Sequence, residues 1–248
     1  MIVIPIGVRQ TNIMYVIIGK NGEVVFVDPI EPEKAQKAAL DSVKAPSHVV
    51  SLTTHHHEDH SSGNSRILKS FPDAKIYAGS DKSLNTHICR DGEVLEVGSL
   101  EITCMHTPCH TLDSFTFFVQ DRSSSTQQPV VFAGDTLFYL GCGRFTEGTG
   151  EMMQESLRRI ASLPSNTLVY YGHDYSESNV LFRREITEEP AKIKTSGMFL
   201  TVEEEKENNL FINTSLLSSS EQFVNLSPLA RLKLLRQLKD EFNVKKQL

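Results

Sequence analysis

The chain has no apolar run long enough to cross a bilayer, no C-x-x-C pair, no internal repeat and no surplus of positive charge. Each absence removes a class of protein. A membrane helix needs about 20 consecutive apolar residues, so no membrane partner is expected. Cys89, Cys104, Cys109 and Cys142 are scattered, which reads as four small packing residues in a reducing compartment and not as a disulfide framework. The opening "MIVIPIGVRQ" carries neither the basic region nor the small-residue cleavage site of a secretory signal. The expectation is therefore a cytoplasmic protein. A formal charge of −6 speaks against a surface that tracks phosphates, so no nucleic-acid partner is expected.

What the chain does have is enough apolar material for a large core: 248 residues, 39% hydrophobic. Its first two thirds read as short strands and turns with occasional helices. "NIMYVIIG" and "EVVFVD" flank "KNG" as a hairpin, "SHVVSL" is a strand, and Asn64 is placed as the cap of a helix "SRILKSF" that Pro72 closes. After Asp174 the character turns helical and acidic, ending in "RLKLLRQLKDEFNVKKQL" behind Ser227 as cap and Pro228. A boundary is expected there, with residues 1–174 as a mixed α/β domain and 175–248 as a small helical one.

The stretch "TTHHHEDHSSGN" sets neutral imidazoles beside carboxylates, the donors that zinc and iron take. Further metal-capable residues follow apolar strands: "VVSL" leads to His55, "ITCM" through "HTPC" to His110, "VVFAG" to Asp135 and "LVYYG" to His173. Loops at strand ends are where a rigid scaffold carries chemistry. The candidates are His55, His57, Asp59, His60, His110, Asp135 and His173, more than the three or four that one zinc needs. Two divalent ions are therefore expected. A carboxylate can bridge, and Asp135 is the natural shared ligand, leaving two sets of three around ions roughly 3.5–4 Å apart. His56 and Glu58 alternate with the ligands and should point away. Zinc is the first expectation, with iron or manganese taken by the same donors.

The stretches "THHHEDH", "TPCHT", "GDTLF", "GCGRFTEGT" and "GHDYS", in this order, resemble the hydroxyacylglutathione hydrolases (glyoxalase II) of the metallo-β-lactamase superfamily. The resemblance runs from "TNIMY" and "VDP" to "RQLKDEF". It implies an α/β fold, an αββα sandwich with a small C-terminal helical domain. It also implies hydrolysis of S-D-lactoylglutathione and related S-2-hydroxyacylglutathiones to D-lactate and glutathione by a hydroxide held between two metals, the second step of methylglyoxal detoxification. His55, His57 and His110 would hold one metal and Asp59, His60 and His173 the other, with Asp135 between them and Asp59 and Asp135 serving the chemistry. Arg144, Tyr175, Arg236 and Lys239 match positions that contact the glutathione part. A monomer acting on a small-molecule glutathione thioester is the expected working form. Three departures stand out: Ser114 where many members have histidine, Thr146 in place of a tyrosine found in some, and "NNLFIN" without the proline and arginine of N-P-F-x-R. A one-iron persulfide dioxygenase, which shares the fold and several motifs, is the rival enzyme; a non-catalytic interaction protein is the rival of another class.

Overall fold

The computed structural model describes residues 1–248 except 125, 195, 196, 219, 247 and 248. Two sheets face each other. The first runs through β1 (Ile2–Val8), β2 (Asn12–Ile18), β3 (Glu23–Val27), β4 (His48–Leu52), β5 (Lys75–Ala78) and β6 (His87–Ile88), in that spatial order. Its first three strands are antiparallel and β3 to β6 are parallel. Helices α1 (Pro32–Ser42), α2 (Glu58–Ser61) and α3 (Asn64–Ser70) lie in its crossovers. The second sheet is built from β7 (Val94–Val97), β8 (Leu100–His106), β9 (Phe115–Asp121), β10 (Val130–Gly134) and, after the small hairpin β11 (Leu137–Phe138) and β12 (Gly141–Cys142) and helix α4 (Gly150–Ala161), β13 (Leu168–Tyr171). Its order is β13-β10-β9-β8-β7, with only β10 and β13 parallel. Helices α5 (Ser176–Ile186), α6 (Val202–Asn208) and α7 (Pro228–Lys246) complete the chain.

Strand alternation builds the layers. Along β2, Ile13, Tyr15 and Ile17 join the core between the sheets while Met14, Val16 and Ile18 pack with Ala35, Ala39 and Ile67 of α1 and α3. A strand covered on both faces must be apolar throughout, which is why "NIMYVII" lacks the polar alternation of a surface strand. On β9, Phe115, Phe117 and Val119 face the inter-sheet core and Phe118 faces the opposite helical layer.

That second helical layer is one continuous cluster. Val131 and Val169 of the sheet, Met153 and Leu157 of α4, Phe182 of α5, and Leu232, Leu235 and Phe242 of α7 belong to it. Leu235 is fully buried, so truncation to alanine costs about 2–5 kcal/mol. Ser227 caps α7 as the sequence suggests, its hydroxyl accepting from Ala230 N at 3.2 Å. Asn64 does not cap α3. Gly63 takes that position, and the Asn64 side chain turns inward to donate to Thr53 Oγ1 at 2.9 Å and Ser83 O at 2.6 Å. Burial there rewards a satisfied amide over a solvent-facing cap.

Glu205 of α6 anchors the helical segment to the sheet. It accepts from Tyr171 Oη at 2.7 Å, Asn209 Nδ2 at 2.7 Å and Leu140 N at 3.2 Å. Burial pushes its carboxyl up to about 7 despite those donors.

Candidate metal centre

The C-terminal ends of β4, β10 and β13 emerge at one edge of the sandwich. Backbone bonds lock the sheets together there: Ile13 N donates to Gly172 O at 2.9 Å, Asp174 N to Thr11 O at 2.8 Å and Phe115 N to Thr54 O at 2.8 Å. Beyond β4 the single turn of α2 folds Asp59 and His60 back over His57, with His60 N donating to His57 O at 2.9 Å. After β10, Gly134 adopts φ +51°, and a Cβ there would stand 2.6 Å from Thr54. Only glycine can turn the chain so tightly into Asp135. Gly172, before His173, is equally constrained: a Cβ would fall 2.6 Å from Asp135 Oδ1 and 2.9 Å from His60 Cε1.

All seven candidate ligands converge. His55 Nε2 lies 3.0 Å from His57 Nδ1, which lies 3.1 Å from His110 Nε2. His60 Nε2 is 3.2 Å from His173 Nε2, and Asp59 Oδ2 is 3.3 Å from His173 Nε2. Asp135 faces both groups, with Oδ1 3.3 Å from His60 Nε2 and Oδ2 3.5 Å from His110 Nε2. Ligands about 2.0–2.1 Å from a tetrahedral zinc stand about 3.3 Å from one another. Asp135 Oδ1 is buried with no hydrogen-bond partner, an uncommon and costly state for a carboxylate unless a cation completes it. The donor set and the orphaned oxygen both fit divalent metal ions.

The crowded imidazoles and carboxylates shift one another. Burial, and then the neighbouring His60, His110 and His57, hold the His55 imidazole well below its usual range. Burial acts to lower His60 too, but Asp135, Asp28 and Asp59 outweigh it and raise His60 to about 9. The hydrogen bond from His173 leads the causes that hold Asp59 well below the ordinary carboxylate range.

Partners behind the ligands set their tautomers. Asp28 Oδ2 sits 2.8 Å from His60 Nδ1 and accepts from Thr54 Oγ1 at 2.7 Å, which leaves that hydroxyl to accept from His55 Nδ1 at 3.1 Å. His110 Nδ1 faces Arg144 O at 3.1 Å and His173 Nδ1 faces Thr11 Oγ1 at 3.0 Å. With their Nδ1 protons so engaged, the Nε2 lone pairs of His55, His60 and His110 are free to point at the centre on an ion's arrival. Asn12 Nδ2 donates to Asp59 Oδ2 at 3.0 Å. Sequence reasoning assigned no role to Asp28, Asn12, Thr11 or Thr54. Asp28 had a usable signal: like His55 and Asp135, it closes an apolar strand.

A cleft of about 540 Å³ opens from this centre, reaching from His110 and Asp135 past Phe138, Arg144 and Tyr175 to Arg236 and Lys239.

Residues 6–87 match the metallo-beta-lactamase superfamily model. The chain is 38% identical over 231 residues to a probable hydroxyacylglutathione hydrolase of Schizosaccharomyces pombe, covering 87% of each chain. It is 36% identical over 251 residues to the cytoplasmic hydroxyacylglutathione hydrolase of Arabidopsis thaliana, covering 94% of this chain and 96% of that one. The chain belongs to the hydroxyacylglutathione hydrolase family. It is an enzyme of the metallo-hydrolase type. In fold it is similar to ETHE1 from Myxococcus xanthus, with a TM-score of 0.67 at 23% identity over 96% of this chain and 97% of that chain.

Positions that depart from the hydroxyacylglutathione hydrolase pattern fall outside the ligand cluster. Ser114 Oγ bonds Thr111 Oγ1 at 2.7 Å and braces the turn after His110. Thr146 is exposed and does not line the cleft. In "NNLFIN", Asn209 Nδ2 donates to Gly141 O at 3.1 Å and Phe211 lies under the Arg236 guanidinium at 5.6 Å, so the segment is seated without proline or arginine. The basic stretch of α7 is not a uniformly solvated face. Arg236 and Lys239 are 6% and 5% exposed; Arg236 Nη1 donates to Cys142 O at 2.8 Å and Lys239 Nζ to Ser178 Oγ at 2.9 Å. His56 and Glu58 both point away from the cluster: Glu58 is exposed, and His56 meets Asp113 at 2.8 Å.

Proposed function

We propose that this member of the hydroxyacylglutathione hydrolase family hydrolyses S-D-lactoylglutathione, and related S-2-hydroxyacylglutathiones, to D-lactate and glutathione, the second step of methylglyoxal detoxification. The observation that carries the substrate is the single cleft joining the His110 and Asp135 end to two buried cations, Arg236 and Lys239. Arg236 Nη2 pairs with Asp240 Oδ1 at 3.0 Å, while its Nε is buried without a hydrogen-bond partner. Arg236 and Lys239 are three residues apart on α7, so one carboxylate can meet both.

His55, His57 and His110 would hold one divalent ion and Asp59, His60 and His173 another, zinc first and iron or manganese as alternatives, with Asp135 reaching both. Bound there, the pair supplies Lewis acidity and a water ionised near neutral pH. The protein's own work is positioning. Asp135, directed at both triads, and Asp59, steadied by Asn12, orient what lies between them. Arg144 and Tyr175 flank the path of the glutathione chain, and Arg236 and Lys239 hold its terminal carboxylate, which brings the thioester carbonyl to the metal end. A leaving thiol with an ordinary pKa of about 8.5 departs as thiolate without a dedicated acid. Neither Cys109 nor Cys142 is needed as a nucleophile: both are buried, and burial pushes their thiols up to about 12 and about 11.

In this reading residues 1–174 carry the reaction and supply Arg144 to the glutathione path, and 175–248 read the rest of the glutathione part, although the two share one core cluster. A cytoplasmic monomer is the proposed working form. The name of the Arabidopsis relative supports the compartment, and no helix among the described residues is long and apolar enough to cross a membrane. The test is loss of thioester absorbance on lactoylglutathione by metal-loaded protein, alongside oxygen uptake on glutathione persulfide. Hydrolysis without oxygen uptake is expected; the reverse pattern would overturn the proposal in favour of a dioxygenase.

A further inference from the structure

His56 is the histidine that the H-x-H-x-D-H pattern leaves over, since His55 and His57 turn to the centre and it turns away. Its partner lies 57 positions along the chain: His56 Nδ1 is 2.8 Å from Asp113 Oδ1. Asp113 stands in the turn between β8 and β9, three residues after His110, and is 8% exposed. Its carboxylate also accepts from Thr111 Oγ1 at 2.7 Å and from Ser80 Oγ, just beyond β5. One buried carboxylate thus ties together three loops from three strand ends. A second acid grips the same turn from the other side. Glu147 Oε2 accepts from Leu112 N at 2.6 Å, and Glu147 Oε1 lies 3.8 Å from His56 Nε2.

The placement matters because of what lies next door. His57 follows His56 directly, and His57 Nδ1 is 3.1 Å from His110 Nε2. The His56–Asp113 bond therefore joins the same two loops that must bring His57 and His110 to one ion. The other triad, Asp59, His60 and His173, is braced by Asp28, Asn12 and Thr11 and touches neither His56 nor Asp113 through any of these bonds.

We propose that His56 and Asp113 act as one positioning unit that presets the His55–His57–His110 triad for its metal, leaving the other triad to its own supports. The inference rests on the two-metal reading above. Groups that orient ligands from behind typically change metal affinity 10- to 100-fold when removed.

The test is a cobalt(II) titration of metal-free protein, followed by visible absorption and by competition with a chelator. In wild type two equivalents are expected. In His56→Ala and Asp113→Asn one equivalent should weaken about 10- to 100-fold while the other stays within about threefold. His56→Asn, whose amide can replace the Nδ1 donor, should restore most of the lost affinity. The double variant should be no weaker than the worse single one, because removing either half already breaks the unit. Equal weakening of both equivalents, unchanged binding in the alanine variant, or additive losses would overturn the proposal. Should Asp113→Asn fail to fold, the His56 pair, at a partly exposed position, decides alone. A single equivalent in wild type would defeat the two-metal reading instead; the unit would then stand or fall on whether that one ion binds more weakly in His56→Ala and recovers in His56→Asn.

Discussion

The ring of Tyr175 lies flat against the imidazole of His173, with centroids 4.9 Å apart and planes 7° from parallel. Phe138 closes the stack edge-on to Tyr175 at 5.0 Å. A residue assigned to substrate is thereby also a support for a candidate ligand. Tyr175→Phe keeps the ring and should raise KM for lactoylglutathione a few-fold while the metal content stays unchanged. Tyr175→Ala removes the stack, so metal retention in the presence of a chelator should fall as well. Equal metal retention in both variants would reduce the tyrosine to a substrate contact.

Asp135 divides its oxygens between the two triads, and its Oδ1 finds no other partner. Asp135→Ala should lose most turnover, because in the two-metal reading both ions would depend on it, yet the metal-free protein should melt within a few degrees of wild type. Elemental analysis should give two equivalents in wild type and fewer in the variant. Removing metal from wild type should lower stability as well as activity. An ion present at 100 times its dissociation constant contributes about 2.7 kcal/mol to the folded state, read as a drop in Tm on chelation.

Lys239 Nζ sits over the rings of Phe182 and Phe242 at 5.2 and 4.7 Å, and burial, then Arg236, bring its pKa down to about 8. Lys239→Met preserves bulk but removes the charge. A charge-assisted hydrogen bond is worth about 1.5–3 kcal/mol, so KM on lactoylglutathione should rise about tenfold or more, with kcat little changed. A small thioester without the terminal carboxylate should not notice. The lowered pKa adds a pH signature: as pH climbs through about 8 the cation is lost, and wild-type KM for the glutathione substrate should rise while that for the small thioester stays flat.

Glu205 titrates against folding in the opposite sense to most carboxylates. Its folded value, about 7, lies above the usual 4.5, so its contribution is fully present below 4.5 and is lost as pH rises through 7. The difference is on the order of 3 kcal/mol. Glu205→Gln, neutral throughout, should lack this loss. Tm of the variant minus that of wild type should therefore increase between pH 4.5 and 7, and a flat difference would mean the carboxyl titrates as it does in water.

Much of this protein can be read along the chain. The both-faces-buried β2, the hairpins, the start of α7 at Ser227 and Pro228, and the seven nitrogen and oxygen donors that meet at one edge are all visible there. Local chemistry makes them so. Metal donors come from few residue types, strands bury by alternation and proline opens helices, all within short windows. Asn64 marks the limit of such reading, since its amide was worth more to Thr53 and Ser83, which the fold carries to it, than to a helix end in solvent.

Tertiary structure decided the rest, because each remaining feature depends on segments far apart in sequence. The parallel pairing of β13 with β10 carries His173 to Asp135, and the parallel pairing of β3 with β4 brings Asp28 behind His60. The turn after β8 supplies His56 with Asp113. The packing of α7 on Phe182 and Phe211 turns Arg236 and Lys239 from apparent surface charges into buried cations at the end of a cleft. Residue types and their spacing along the chain determined which groups could take part. Only the burial and distances created by folding determined which of them share a site, because hydrogen bonds and ion pairs act over a few ångströms of space and take no account of sequence separation.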